Sequence, residues 1–177
     1  DGRQAGRTGH GAVWGSKKLK AVAVRGTYGV SVADPETLLK MSFDITESAQ
    51  GPHTEKYRVY GTSTNMLNMN KLGLLPTRNY QEGVFEFAEL VSGEYLDEHH
   101  KVKVIACAQC PIACEQMSLV KKGPFAGAMT GIEYECLQAV SSNCGIDDMT
   151  AAIRLVDLED RSRMDAMSMG VTISFAM

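Results

Sequence analysis

Cys107, Cys110 and Cys114 stand in the spacing C-x2-C-x3-C within CAQCPIAC, and they are three of only five cysteines in the chain. Pro111, directly after the second, breaks regular structure, so a looping backbone can aim all three sulfurs at one point. Cubane iron–sulfur clusters take thiolates in this manner, three close together and a fourth from a distant part of the chain. Zinc is the competing metal, but structural zinc sites pair two-residue ligand hairpins, and no second C-x2-C or H-x3-H follows. His99 and His100 lie nearby, yet adjacent histidines point in different directions. Three buried or unliganded thiols form the remaining reading. A cluster of four irons and four sulfurs suits the spacing best. Cys136 and Cys144 could supply a fourth ligand, although each sits in an apolar context that suits a small core residue better.

Two acidic features could act beside such a centre. Glu133 and Glu135 flank Tyr134, and residues two apart do not share a helix face, so only one of the glutamates is expected at a buried site. A buried Glu beside a redox centre can hold a proton near neutral pH and serve as general acid or base. A solvated helix start is the plainer alternative for both. Further on, DDMTAAIRLVDLEDRSR puts Met149, Ile153 and Val156 on one helix face, and the next position of that stripe is Asp160. A carboxylate there either marks where the helix leaves the core or points at something buried that wants it. Near the start, GRTGHGAVWGSKK can bring glycine amides and Arg7 to an anion. It is neither a P-loop nor a G-x-G-x-x-G helix opening, so a tight turn feeding a strand explains it equally well.

The elements around these residues are legible in part. Leu19 to Val24, bounded by Gly26, reads as a buried strand. Asp34 then Pro35 opens a helix with Leu38, Met41 and Ile45 on its apolar stripe. A second helix is predicted to end near Leu72, where Gly73 can take a left-handed cap and Pro76 cannot continue. Further helices are predicted over 85–98, 133–142 and from about Asp147. After about residue 30 the pattern is helical, which predicts an α+β chain with a boundary there between a β-containing segment, 1–30, and a mostly α-helical domain, 31–177. The net charge of −3 comes from 18 basic and 21 acidic residues that are well mixed, so neither nucleic acid nor an anionic membrane surface is an expected partner. No run of about 18 apolar residues is present, which argues against a membrane span. The odd cysteine count argues against a secreted disulfide framework and for a reducing compartment, the cytoplasm. A start at Asp1 and a stop inside the apolar run ending at Met177 read as a piece of something longer.

Taken in order, these stretches resemble the aldehyde ferredoxin oxidoreductase family of tungsten enzymes. The matching segments are GRTGHGAVWGSKKLKAVAVRG (6–26), YGTS (60–63), LPTRNYQEG (75–83), SGEYL (92–96), CAQCPIAC, GIEYE (131–135), NCGIDD (143–148) and MDAMSMGVTISFAM (164–177). The resemblance implies tungsten, with molybdenum as the variant, held by the dithiolene sulfurs of two pterins beside a 4Fe-4S cluster. It implies oxidation of aldehydes to carboxylic acids, with electrons passed to ferredoxin or an iron–sulfur electron-transfer subunit; a homo-oligomer is compatible with it. Cys107, Cys110 and Cys114 match three cluster ligands, and the fourth is expected from a C-terminal region this chain lacks. The resemblance implies that 1–30 is the end of a β-rich cofactor-binding domain, in which Arg3, Arg7, Gly9 and Gly11 would lie near the cofactor phosphates. The family pattern D-x-x-G-L-D falls on Asp160 to Asp165, both aspartates retained as pterin contacts, with Arg163 where the turn glycine stands. Glu135, in preference to Glu133, matches the glutamate beside the metal.

Two other readings stay open. A tungsten subunit of the benzoyl-CoA reductase type would use a cysteine as a direct metal ligand, and Cys136 follows the EYE stretch immediately. An iron–sulfur or zinc module without pterin would only relay electrons or prop a scaffold.

Overall fold

Asp34 and Pro35 open a helix as their chemistry requires: the Asp34 carboxylate accepts the Thr37 N–H at 3.0 Å, and Pro35 occupies the first turn, where its missing N–H is no loss. The computed structural model describes residues 6–177, and the fold is mixed α+β. Its helices are α1 (His10–Ser16), α2 (Pro35–Ala49), α3 (Glu55–Tyr60), α4 (Asn65–Lys71), α5 (Gly93–His99), α6 (Tyr134–Val140), α7 (Met149–Ser162) and α8 (Ala166–Ala176). Between α5 and α6 run β1 (Lys101–Ile105), β2 (Glu115–Leu119) and β3 (Met129–Ile132), an antiparallel sheet in the order β1-β2-β3.

Two expectations change here. The strand expected over Leu19–Val24 is not formed, and Val22 and Val24 are 64% and 89% exposed. Among the described residues no other strand lies alongside it, so its main-chain amides have no ladder to join. The stretch before it, expected as a turn or cradle, is instead a short 3-10 turn over Arg7–Gly9 followed by α1. The second change is the sheet, which interrupts a region read as helical. Its signal is inverted: in EQMSL the buried side chains are Gln116 and Ser118, while Met117 and Leu119 are half-buried. Polarity alternation therefore points to the wrong face of β2. The expected helix over 85–98 splits into a 3-10 turn at Ala88–Val91 and α5, separated by Ser92, whose hydroxyl accepts the Tyr95 N–H at 3.1 Å.

The core gathers Met66, Leu75, Phe85, Leu96, Ile132, Leu137 and Ile153, all fully buried. α4 ends as its sequence predicts, with Gly73 left-handed at φ 71. α7 begins at Asp148, whose carboxylate accepts the Thr150 and Ala151 amides at 2.8 and 3.4 Å, and it buries the predicted stripe Met149, Ile153 and Val156 against β3. The stripe of α2 is not buried; Leu38, Met41 and Ile45 are 50%, 53% and 61% exposed.

α8 crosses α6 at close range, and Gly170 makes that approach possible. A methyl group there would sit 2.6 Å from the Ala139 carbonyl oxygen and 2.8 Å from its Cβ. Gly170→Ala is expected to destabilise the fold by about 1–3 kcal/mol through overpacking, read as a lower denaturation midpoint. An unchanged midpoint would mean that the two helices are not packed this tightly.

Candidate active site

Both glutamates of the EYE stretch line the same cavity, and neither is buried as one was expected to be: Glu133 is half-buried and Glu135 exposed. The cavity has a volume of about 530 Å³ and is walled by β2 and β3, the start of α6, the end of α7 and the α7–α8 turn. Helical spacing does not separate the two because Glu133 is not in the helix: it is the extended N-cap of α6, at φ −130 and ψ 162. The Glu133 N–H donates to Cys136 Sγ at 3.3 Å, and the Cys136 thiol donates back to the Glu133 carbonyl at 3.1 Å. Glu135, one turn position on, is held at 2.5 Å by Arg7, which reaches over from the glycine-rich stretch. That contact pushes the Arg7 guanidinium further up, through the hydrogen bond and charge of Glu135.

Of the other residues expected in the glycine-rich stretch, Arg3 lies outside the described residues. Gly9 is left-handed at φ 78 and caps α1, and Gly11 lies within that helix; of the three described positions, Arg7 is the one on the cavity wall. Gly6 packs against the α7–α8 turn so closely that a methyl group would lie 2.5 Å from Asp165 Cβ.

Asp160 and Asp165 also line the cavity. Asp160, at the end of the inward stripe, accepts the Thr130 hydroxyl of β3 at 2.5 Å. Asp165 caps α8, accepting the Ser168 N–H and hydroxyl at 3.0 and 2.6 Å. Between them Arg163 adopts φ 61 and ψ 30, so the turn that a glycine would make is made here by an arginine. Asp157, which sequence reasoning missed, is buried on the cavity wall and paired with Arg154 at 2.8 Å and Arg161 at 2.6 Å. The three-and-four spacing of those arginines about it was the available signal.

Glu159 is only 4% exposed, and its Oε2 has no hydrogen-bond partner among the described residues. Burial, with Asp160 and Asp165 nearby, pushes its carboxyl from 4.5 up to about 7. The folded state therefore binds this proton more tightly than the unfolded chain, and the associated stability is full below pH 4.5, falls as pH rises and levels off above about 7. The loss across that window is on the order of 3 kcal/mol. Glu159→Gln should flatten this part of the profile, checked by melting curves between about pH 5 and pH 8. Parallel profiles for the two proteins would contradict it.

The cysteine motif forms the whole connection between β1 and β2, and Ile105 and Glu115, which bracket it, line the cavity. The Cys110 N–H closes a turn onto the Cys107 carbonyl at 3.0 Å, and Gln109 and Ala113 are left-handed at φ 61 and 56. Burial and then the charge of Glu133 push the Cys114 thiol up. Among the described residues no three His, Cys, Asp or Glu side chains are drawn together as a closed ligand set, and all five cysteines are free. Cys144 is half-buried and donates to the Ala139 carbonyl at 3.3 Å.

The donor types fit the groups implied by the sequence. Three thiols on one loop suit an iron–sulfur cluster. A cavity of this size lined by two aspartates, an arginine and two glutamates suits an organic cofactor with ring N–H groups and a reacting centre. No helix among the described residues is long and apolar enough to cross a membrane.

Comparison with known proteins places the chain in a family. The family described as Aldehyde ferredoxin oxidoreductase, domains 2 & 3, matches residues 39–177. Tungsten-containing aldehyde ferredoxin oxidoreductases of Thermococcus kodakarensis and Pyrococcus abyssi are each 38% identical over 180 residues, 99% of this chain. An aliphatic sulfonate oxidoreductase, WOR-like subunit, of Pyrococcus furiosus is 27% identical over 97% of the chain. The chain spans 29% of the length of the two aldehyde enzymes and 28% of the third.

Proposed function

Since the chain belongs to the aldehyde ferredoxin oxidoreductase family, we propose that its protein oxidises aldehydes to carboxylic acids and delivers the electrons to ferredoxin or an iron–sulfur electron-transfer subunit. The observation that carries this reading is the convergence of Arg7, Glu135, Asp160 and Asp165 on one cavity beside a three-cysteine loop. Aldehyde and water give acid, two protons and two electrons. A tungsten bis-pterin, with molybdenum as the variant, supplies the two-electron acceptor when bound.

The chain's own residues then have defined tasks. Glu135 takes the proton released as water adds to the aldehyde carbon, and Arg7 keeps that carboxylate oriented toward the cavity. Asp160 and Asp165 accept from pterin N–H groups, with Thr130 fixing Asp160. Gly9, Gly11 and Arg3 belong to the phosphate-contacting stretch on this reading, and Glu133 caps the helix that presents Glu135. Cys107, Cys110 and Cys114 hold a 4Fe-4S cluster whose fourth ligand lies elsewhere. Residues 1–30 close the β-rich cofactor domain and 31–177 form the helical one.

Cys136 speaks against the ring-reducing alternative. Both hydrogen bonds of its thiol cap the start of α6, which gives Cys136 a structural task that needs no metal. The test is turnover of the full-length protein with an aldehyde and a viologen dye against reduction of an aromatic thioester. Activity only with the aldehyde is expected; activity only with the thioester would overturn the proposal.

A further inference from the structure

YGTS (60–63) carries none of the chemistry described above, yet it touches both halves of the site. Gly61 sits at φ 64 and ψ −167, a region open essentially to glycine alone, and its N–H ends α3 on the Tyr57 carbonyl at 3.0 Å. A methyl group there would lie 2.5 Å from the Cys114 carbonyl oxygen and 2.6 Å from Gln116 Cγ. Gln116 is 1% exposed, and its Nε2 donates to that same carbonyl at 3.4 Å, so the Cys114 carbonyl is hydrogen-bonded by Gln116 in close contact with Gly61. Thr62 Oγ1 accepts the Tyr134 N–H at 2.9 Å, one of the orphan donors at the start of α6, from 72 positions away. The backbone unit that Thr62 holds lies directly between Glu133 and Glu135.

We propose that Gly61–Thr62 is a positioning strut that fixes Cys114 and Glu135 relative to each other. The proposal rests on the reading of the cysteines as cluster ligands and of Glu135 as the base. Gly61 acts by leaving room for the Cys114 carbonyl, and Thr62 acts by anchoring the helix start. Neither touches substrate, and the two effects are separable because they run through different contacts.

Wild type, G61A, T62V and T62S are compared as full-length holoenzymes for iron per chain, the electron paramagnetic resonance of the reduced cluster, its midpoint potential, and kcat and KM. T62V is expected to keep its iron and lose about 10- to 100-fold in kcat with KM within about twofold, and T62S to restore kcat. G61A is expected to change the cluster spectrum and move its redox equilibrium by about tenfold or more, since cluster potentials follow the sulfur surroundings. If G61A does not fold, the Thr62 pair decides. A merely structural role would lower melting temperatures and leave spectrum, potential and kcat of the folded molecules at wild-type values; that result overturns the strut. A wild type without iron overturns instead the cluster reading beneath it.

Discussion

Glu135→Gln in the full-length protein leaves tungsten and iron in place and lowers turnover by about 100-fold or more, the ordinary contribution of a positioned base. The substitution keeps the shape and a hydrogen-bonding group for Arg7 but removes the only function the proposal assigns to Glu135, proton acceptance. Its neighbours are not disturbed, because α6 is capped by Glu133 and Cys136 and anchored by Thr62, none of which uses the Glu135 side chain. KM should change little, since the amide does not alter the space available to the aldehyde. The parallel change Glu133→Gln supplies the contrast: it weakens the helix start, and its effect is read in melting temperature more than in kcat. Turnover of Glu135→Gln at the wild-type level, with metals retained, would remove Glu135 from the chemistry.

Cys110→Ser empties the loop of its iron, taking it from about four per chain to below about one. Cys110 is the middle one of the three proposed ligands, its amide closes the turn onto Cys107, and left-handed residues, Gln109 and Ala113, stand directly before Cys110 and Cys114. Strain of that kind, at about 1–3 kcal/mol per position, collects at ligand sites. A serine oxygen is a poor substitute for thiolate sulfur at such a centre. Electron delivery to ferredoxin should fail together with the iron, whereas the cavity residues on α6 and α7 keep their places. Retention of all the iron by the variant would show that the cluster is held elsewhere; loss of zinc in its place would turn the loop into a structural site.

Several cavity-lining residues, Arg7, Glu135, Asp160 and Asp165 among them, were legible in the sequence, and much of the scaffold that places them was not. Asp160 was found because helical periodicity in DDMTAAIRLVDLEDRSR is strong, and its partner Thr130 was not, because nothing in MTGI announces a strand edge facing α7. The cysteine spacing pointed to a loop without revealing that the loop is a β1–β2 connection, since short strands with polar buried residues such as Gln116 and Ser118 carry no usable alternation. Arg163 shows the limit of motif reading from the other side: it stands where the family pattern has its turn glycine, and its backbone takes the left-handed conformation regardless. Leu19–Val24 has the composition of a strand, but a strand is a property of two segments, and the second is not among the described residues. Thr62 and Gly61 were visible only as a short matched stretch, because their contacts join positions far apart in the chain.

The most direct test of the central claim is elemental analysis of the full-length protein purified without oxygen, reporting tungsten, molybdenum, iron and zinc per chain. About one tungsten or molybdenum with about four irons is the expected result, matching a pterin-bound metal beside one cubane cluster. About one zinc with neither tungsten nor molybdenum would contradict it, reducing CAQCPIAC to a structural metal site and leaving Glu135, Asp160 and Asp165 without the centre they are proposed to serve.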